Sequence, residues 1–203
     1  MSEGFTLLNP GPNPKHEYGR LGIETHKLGM WIFLASEVMF FTGLIGAYIV
    51  LRMSQPSWPD PSKTLNIPVT ALNTFILICS SATLVKGLMS AKQGNTEGMQ
   101  VGLFLTVLLG SVFVSIQVVE YRELIFHRHF TPQTSIFGSC FFTLTGFHGM
   151  HVFIGVLCLL FVFLKALRGK YTPEEYRGIE VTGLYWHFVD LVWIILFTIL
   201  YLI

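Results

Sequence analysis

Five long apolar stretches, separated by short polar segments, most constrain what this chain can fold into. They cover approximately residues 28–52, 69–90, 99–121, 134–166 and 181–203. Each has ~20 or more residues, the length that a helix needs to cross a bilayer. In hydrocarbon a backbone must satisfy its own hydrogen bonds, which a helix does within each stretch. The sequence therefore predicts an all-α fold, a polytopic membrane helix bundle with five transmembrane helices.

The composition agrees with lipid as the solvent. Of the 203 residues, 52% are hydrophobic and only 12% are charged, whereas soluble domains have about 25% charged residues. The formal net charge is +1 and no basic patch stands out, which argues against nucleic acid as a partner.

The chain divides into a tail and a membrane domain. Residues 1–27 contain Pro10, Pro12 and Pro14, which predicts an extended N-terminal tail. Residues 28–203 form the predicted five-helix transmembrane domain. Between its first two spans, the prolines of segment 54–68 exclude a continuous helix and indicate a loop outside the bilayer.

The distribution of Lys and Arg predicts the orientation. With the N-terminus inside, nine of these residues fall on the inner side and four on the outer side. Cytoplasmic segments carry an excess of Lys and Arg, so we expect the N-terminus inside and the C-terminus outside. The inner set is Lys15, Arg20, Lys27, Lys86, Lys92, Lys165, Arg168, Lys170 and Arg177, and the outer set is Arg52, Lys63, Arg122 and Arg128.

Ionisable residues within the spans are the candidates for function, because burying them in lipid is costly. They are Glu37, Glu120, His148, His151, His187 and Asp190. Glu37 lies ~14 Å along its helix from Leu28, near the bilayer midplane. The apolar residues around Glu37 favour the neutral form of its carboxyl group. Three roles stay open: a hydrogen bond that joins two helices, proton handling, or contact with a lipid headgroup or cleft.

The histidines have a structural and a sharper interpretation. His148 and His151 are three residues apart, so we expect them to share a face of the fourth span. His187 and Asp190 have the same spacing, and a hydrogen bond between them would lower the cost of burying both. Metal or haem ligation by histidines of facing helices is the alternative.

Small residues four apart predict close helix packing. Gly43 and Ala47 have this spacing in the first span, and Gly138 with Phe142, Thr145 and Gly149 follow this pattern in the fourth. We interpret them as bundle packing positions without a further role.

Four motifs carry a resemblance to a known family. They are SEVMFFTG (36–43), EYRE (120–123), TGFHGMHVFIG (145–155) and YWHFVDLVWIILFTILYL (185–202). Together, and in this order, they resemble subunit III of the haem–copper respiratory oxidases, in its five-helix form. The resemblance extends over residues 28–203.

The resemblance implies a non-catalytic subunit of a proton-pumping cytochrome c oxidase, with no active site and no cofactor in this chain. Haem and copper would belong to partner subunits, and the chain would stabilise subunit I, hold phospholipids and support proton uptake. The implied partners are oxidase subunits I and II, with a subunit IV or a respiratory supercomplex as further candidates. The implied location is an energy-transducing membrane, the bacterial inner membrane.

The resemblance also assigns residues. Glu37 matches the carboxylate that reacts with a hydrophobic carbodiimide in the family. The other intramembrane candidates match motif positions: Glu120, His148, His151, His187 and Asp190. Lys165 lies near a basic residue that reaches a lipid phosphate, with Lys in place of Arg, so a bidentate contact is lost. No catalytic, cofactor-binding or metal residue is expected.

Many family members have seven helices, the first two forming a lipid-filled cleft against the others. This chain matches the later five, so we expect the cleft to be completed by a neighbour or to be open. Glu37, where the quinol oxidase branch tends to have Asp, favours the cytochrome c branch. The alternatives are a quinol oxidase subunit III, the related accessory protein of a nitric oxide reductase, a haem-bearing or quinone-binding membrane anchor, and a stand-alone ion or proton transporter.

Overall fold

Residues 25–203 are described by the computed structural model, apart from the side chain of Lys63. Five of their helices are long and apolar enough to cross a membrane, which confirms the predicted all-α membrane fold. The helices are α1 (Thr25–Ser54), α2 (Pro61–Thr64, a single turn in the first loop), α3 (Ile67–Lys92), α4 (Thr96–Arg122), α5 (Ile136–Leu167) and α6 (Arg177–Phe197). Short π-helical turns, Glu123–His127 and Thr198–Leu202, prolong α4 and α6.

The starts of the spanning helices follow from local chemistry. The side chain of Asn95 accepts a hydrogen bond from the Gly98 amide at 2.9 Å, and Ser135 caps α5 in the same way. Such caps satisfy amides that have no partner within the helix. α1 begins at Thr25, so the last three residues assigned to the tail are helical, because neither Gly nor Pro interrupts the chain there. The rest of the predicted tail, residues 1–24, lies outside the described residues.

The four later spanning helices form a closed ring, in which α3 packs on α4, α4 on α5, α5 on α6, and α6 on α3. α1 lies outside this ring and packs mainly against α5 and α6. Only three of its residues are buried, namely Leu34, Phe41 and Tyr48. The other faces of α1 are apolar and exposed, as expected for a helix that meets lipid or a partner.

Contacts at the two ends show that successive spans alternate in direction. At one end, which we call the Lys27 end, Glu180 of α6 lies 2.8 Å from Lys27 and 3.9 Å from Lys92. At the other, the Arg52 end, the Tyr48 hydroxyl donates to the Ile199 carbonyl at 3.3 Å. Charge counts place the Lys27 end inside, which stays a prediction.

A close helix approach joins α3 and α4. A Cβ atom added to Gly102 would lie 2.6 Å from the Cα of Gly87, so the backbones touch where both side chains are absent. One turn away, the Thr83 and Thr106 hydroxyls lie 2.9 Å apart. By contrast, the packing predicted at Gly43 is not made within the described chain, since nothing lies within 4 Å of a Cβ placed there.

Two tryptophans of α6 fill the centre of the ring, and both are about 1% exposed. Trp186 donates its indole hydrogen to Ser80 at 3.0 Å, and Trp193 donates to Thr74 at 2.9 Å. A Cβ added to Gly110 of α4 would lie 2.6 Å from the Trp186 ring, so this glycine makes room for it. Both indole groups are therefore buried without an unsatisfied donor.

Candidate functional site

The inward face of α1 follows a seven-residue repeat that includes Glu37. The buried residues Leu34, Phe41 and Tyr48 are seven apart, and Met30 and Leu44 pack beside them. Glu37 occupies the position between Met30 and Leu44 in this second series. A seven-residue repeat keeps one face of a helix against its neighbours. Glu37 is thus directed at α5 and α6, although part of its side chain stays exposed.

The partner of Glu37 is His151 of α5. The Nε2 atom of His151 lies 3.1 Å from the Glu37 carboxyl oxygen Oε2, and its Nδ1 atom lies 2.7 Å from the Phe147 carbonyl oxygen. A carbonyl oxygen only accepts, so Nδ1 carries a hydrogen. The Nε2–Oε2 contact then needs one further proton, either on the carboxyl group or on the imidazole. In both forms the pair as a whole is neutral.

The pair lies among aromatic rings at the edge of the bundle. Phe41 packs against the His151 ring with centroids 5.2 Å apart, and Phe40 packs against Phe147. The Tyr185 hydroxyl of α6 donates to the His151 carbonyl at 3.0 Å. The side chains of Glu37 and His151 keep 18% and 11% of their surface exposed. The pair is therefore reachable from the membrane face.

His148 and His151 have different hydrogen-bond partners, although they are three residues apart. It is fully buried, stacks on Trp193 at 4.7 Å between centroids, and donates from Nε2 to the Val189 carbonyl at 3.2 Å. His151 instead turns outwards to α1. The two histidines both lie on the buried side of α5 but bond to different partners, and His148 ties α5 to α6.

The expected hydrogen bond between His187 and Asp190 is also not formed. Asp190 accepts from the Ser81 hydroxyl of α3 at 2.7 Å, so it joins two helices. Its other oxygen, Oδ1, is enclosed without a partner among the described residues. His187 is half-buried, and its imidazole makes no hydrogen bond to another side chain or carbonyl of residues 25–203.

Glu120 joins three helices near the Arg52 end. One of its oxygens lies 3.0 Å from the Thr70 hydroxyl of α3 and 3.3 Å from the Tyr201 hydroxyl beyond α6. Hydroxyl groups of two helices therefore meet one carboxyl group of α4. This arrangement indicates a structural role, because it holds three helix ends together.

Lys165 borders a groove of about 590 Å³ at the Lys27 end of α5 and α6. Its ammonium group lies 5.6 Å from the centre of the Phe161 ring and 5.8 Å from that of Tyr171. Burial, with a smaller contribution from Glu175, raises the pKa of the Tyr171 phenol, which therefore stays a neutral donor at physiological pH. The groove thus combines an apolar wall with polar groups at one end.

No set of three or more His, Cys, Asp or Glu side chains within residues 25–203 is placed to hold a metal ion.

The sequence interpretation missed the residues that bond to the intramembrane carboxyl groups. Ser81, Thr70 and Tyr201 carry no signal beyond being hydroxyl residues within apolar spans. Gln117 also lies within a span, but its amide is not ionisable, so a search for ionisable residues did not select it.

Comparisons with known proteins agree with this architecture. The cytochrome c oxidase subunit III family matches residues 20–203. A protein named cytochrome c oxidase subunit 3 from Thermostichus vulcanus is 40% identical over 177 residues, 87% of this chain and 86% of that protein. Proteins of the same name are 40% identical over 179 residues in Corynebacterium diphtheriae (87% of each chain) and 36% identical over 199 residues in Synechocystis sp. (97% of this chain, 84% of that protein).

Proposed function

Because the chain belongs to the cytochrome c oxidase subunit III family, we propose that it serves a proton-pumping haem–copper oxidase as a subunit without its own redox centre. As an oxidase subunit it assembles with other oxidase subunits in the bacterial inner membrane. Oxygen would be reduced by the haem and copper of subunits I and II, with cytochrome c as electron donor. The relatives' shared name supports cytochrome c over quinol.

The observation that carries this proposal is that most of the intramembrane ionisable groups bond to another helix. Acids of α1, α4 and α6 each bond to a side chain of another helix, and the buried histidine of α5 bonds to the α6 backbone. Groups held in this way stabilise a bundle. These bonds support the proposal that the chain is a scaffold, one that stabilises subunit I.

We propose a second role for the Glu37–His151 pair in proton uptake. The two groups share one proton and are partly exposed at the membrane face. A neutral pair can take or release a proton at lower cost than an isolated buried charge. In the assembled oxidase the pair would support proton entry during sustained turnover.

The groove beside Lys165 supports the proposal that the chain holds phospholipids. A phosphate group would meet the Lys165 ammonium group and the Tyr171 hydroxyl, and acyl chains would cover the apolar wall formed by Leu157, Phe161 and Val181. We place this end of the bundle on the cytoplasmic side, with the N-terminus inside and the C-terminus outside.

The experiment that tests the assignment is purification of the chain in mild detergent followed by mass measurement of the accompanying polypeptides. We expect a multi-histidine subunit I and a copper-binding subunit II in equal amounts with this chain. Recovery of the chain alone, or with iron or copper bound to it, would contradict the proposal.

For the lipid proposal, Lys165→Glu reverses the charge that would meet the phosphate group. We expect about one phospholipid fewer per purified complex, because one charged contact contributes on the order of 1–3 kcal/mol. Lys86→Glu, an exposed lysine outside the groove, is the matched control. Native mass spectrometry counts the bound lipids, and equal lipid content in the two variants would argue against this groove.

A further inference from the structure

A second groove, between α4 and α5 in the half of the bundle nearer the Arg52 end, is not used by the proposed function. Its volume is about 160 Å³, the space of one or two side chains. Two glycines of α5 make the depression. The residues lining it include Gln117, Val118 and Tyr121 of α4, and Thr145, Gly146 and Gly149 of α5. We call it the α4–α5 groove.

Gln117 is the polar group at the base of this groove, and only 7% of it is exposed. Its amide nitrogen donates to the Thr145 carbonyl at 3.0 Å. The amide lies against the bare Cα of Gly149, where an added Cβ would be 2.9 Å from the amide oxygen Oε1. The glycine is therefore needed for Gln117 to occupy this position.

The hydroxyl groups that line the groove are already committed. Thr145 donates to the Phe141 carbonyl at 2.6 Å, so the Tyr121 hydroxyl donates to Thr145 Oγ1, also at 2.6 Å. Neither hydroxyl has a hydrogen left for Gln117. Within the described part of the chain, the Gln117 amide oxygen is thus an acceptor that no side chain supplies with a donor.

The depth of Gln117 restricts what can supply that donor. It lies five residues before the end of α4, about 7.5 Å along the helix axis from Arg122. Acyl chains there offer no hydrogen-bond donor, and an unsatisfied amide in an apolar medium is costly. A helix of another polypeptide can supply one, and the small residues of the groove allow its backbone to approach closely.

We propose that the α4–α5 groove is the docking surface for a transmembrane helix of another subunit of the same oxidase. That helix inserts one side chain between Gly146 and Gly149 and donates a hydroxyl, amide or indole hydrogen to the Gln117 amide oxygen. The inference rests on the proposed function, because it requires the chain to be part of a membrane complex. Gly43 of α1 differs, because no atom outside its own helix, among residues 25–203, lies within 4 Å of a Cβ placed there, so no unpaired polar group faces it.

The first test fills the groove. In Gly146→Leu, the new Cβ would have the Tyr121 hydroxyl as its nearest neighbour at 3.8 Å, so the chain itself accommodates the start of the side chain. Gly43→Leu is the control, since nothing lies within 4 Å of its Cβ. The oxidase is purified through a tag on subunit I, and the amount of this chain per haem is measured. We expect about a tenfold loss of the chain for Gly146→Leu, as for a contact weakened by ~1.4 kcal/mol, and none for Gly43→Leu.

The second test does not depend on the stability of a variant. A photo-crosslinking amino acid replaces Val118, which is 54% exposed beside the groove, or Phe161, which is 64% exposed on another face. In the intact complex we expect Val118 to crosslink to a transmembrane segment of an oxidase subunit, identified by peptide mass, and Phe161 to crosslink to lipid.

Retention of Gly146→Leu at the level of Gly43→Leu would overturn the inference, and so would crosslinking of position 118 to lipid alone. Either result leaves the proposed function standing, because the chain would still accompany subunits I and II. Failure of the proposed function is a different result, in which the unaltered chain purifies without any oxidase subunit.

Discussion

At the scale of single residues, the contact between Glu37 and His151 decides the character of the α1 face of the bundle. It forms because α1 lies against α5 and α6, and the two residues are 114 positions apart in the chain. Glu37 has no polar neighbour one turn away on its own helix, so its partner comes from tertiary packing. His148 likewise owes its bond with α6 to tertiary packing, which a spacing of three residues does not specify.

The shared proton leads to a prediction for chemical labelling. A hydrophobic carbodiimide reacts with protonated carboxyl groups in apolar surroundings, so we expect Glu37 to be its main target in the complex. Glu37→Ala should reduce incorporation at least about tenfold while leaving assembly intact, since the pair is one contact among many. The control is Glu120→Gln, which removes a carboxyl group that two hydroxyls already occupy. Unchanged labelling in Glu37→Ala, measured by peptide mass spectrometry, would exclude Glu37 as the reactive site.

At the scale of helices, hydropathy predicted every span, and the observed ends differ by only a few residues. The lateral packing could not be predicted, because lipid-facing and core-facing positions are both apolar. Gly43 and Gly102 illustrate this, since both are glycines in spans but only Gly102 meets another helix. In α1 the informative signal is the seven-residue repeat that passes through Glu37.

This difference predicts how two matched substitutions change stability. In Gly102→Ala the Cβ would lie 2.6 Å from Gly87 Cα, so α3 and α4 must separate. We expect a loss of about 1–3 kcal/mol, the usual cost of overpacking. Gly43→Ala should change the free energy of unfolding by less than ~1 kcal/mol. Thermal unfolding of both variants in detergent measures the difference, and equal midpoints would mean that the close approach contributes nothing.

At the scale of the whole molecule, the fold is a four-helix ring with α1 attached along one seam. Within the family motifs, Glu37, Glu120, His148 and Asp190 each bond to another helix, whereas most of segment 36–43 is exposed. The docking surface that we propose could not be predicted from the sequence. The Gln117 amide oxygen that lacks a donor becomes visible only once every nearby hydrogen-bond donor has been assigned.

The central claim is that this chain supports the oxidase without taking part in the chemistry, and depletion tests it most directly. The subunit is removed from purified oxidase, and oxygen consumption is followed from the first turnovers until activity ceases, beside a reconstituted control. We predict a near-normal initial rate with haem retained, then progressive inactivation during turnover that reconstitution prevents. Immediate loss of haem and activity on removal would contradict the account.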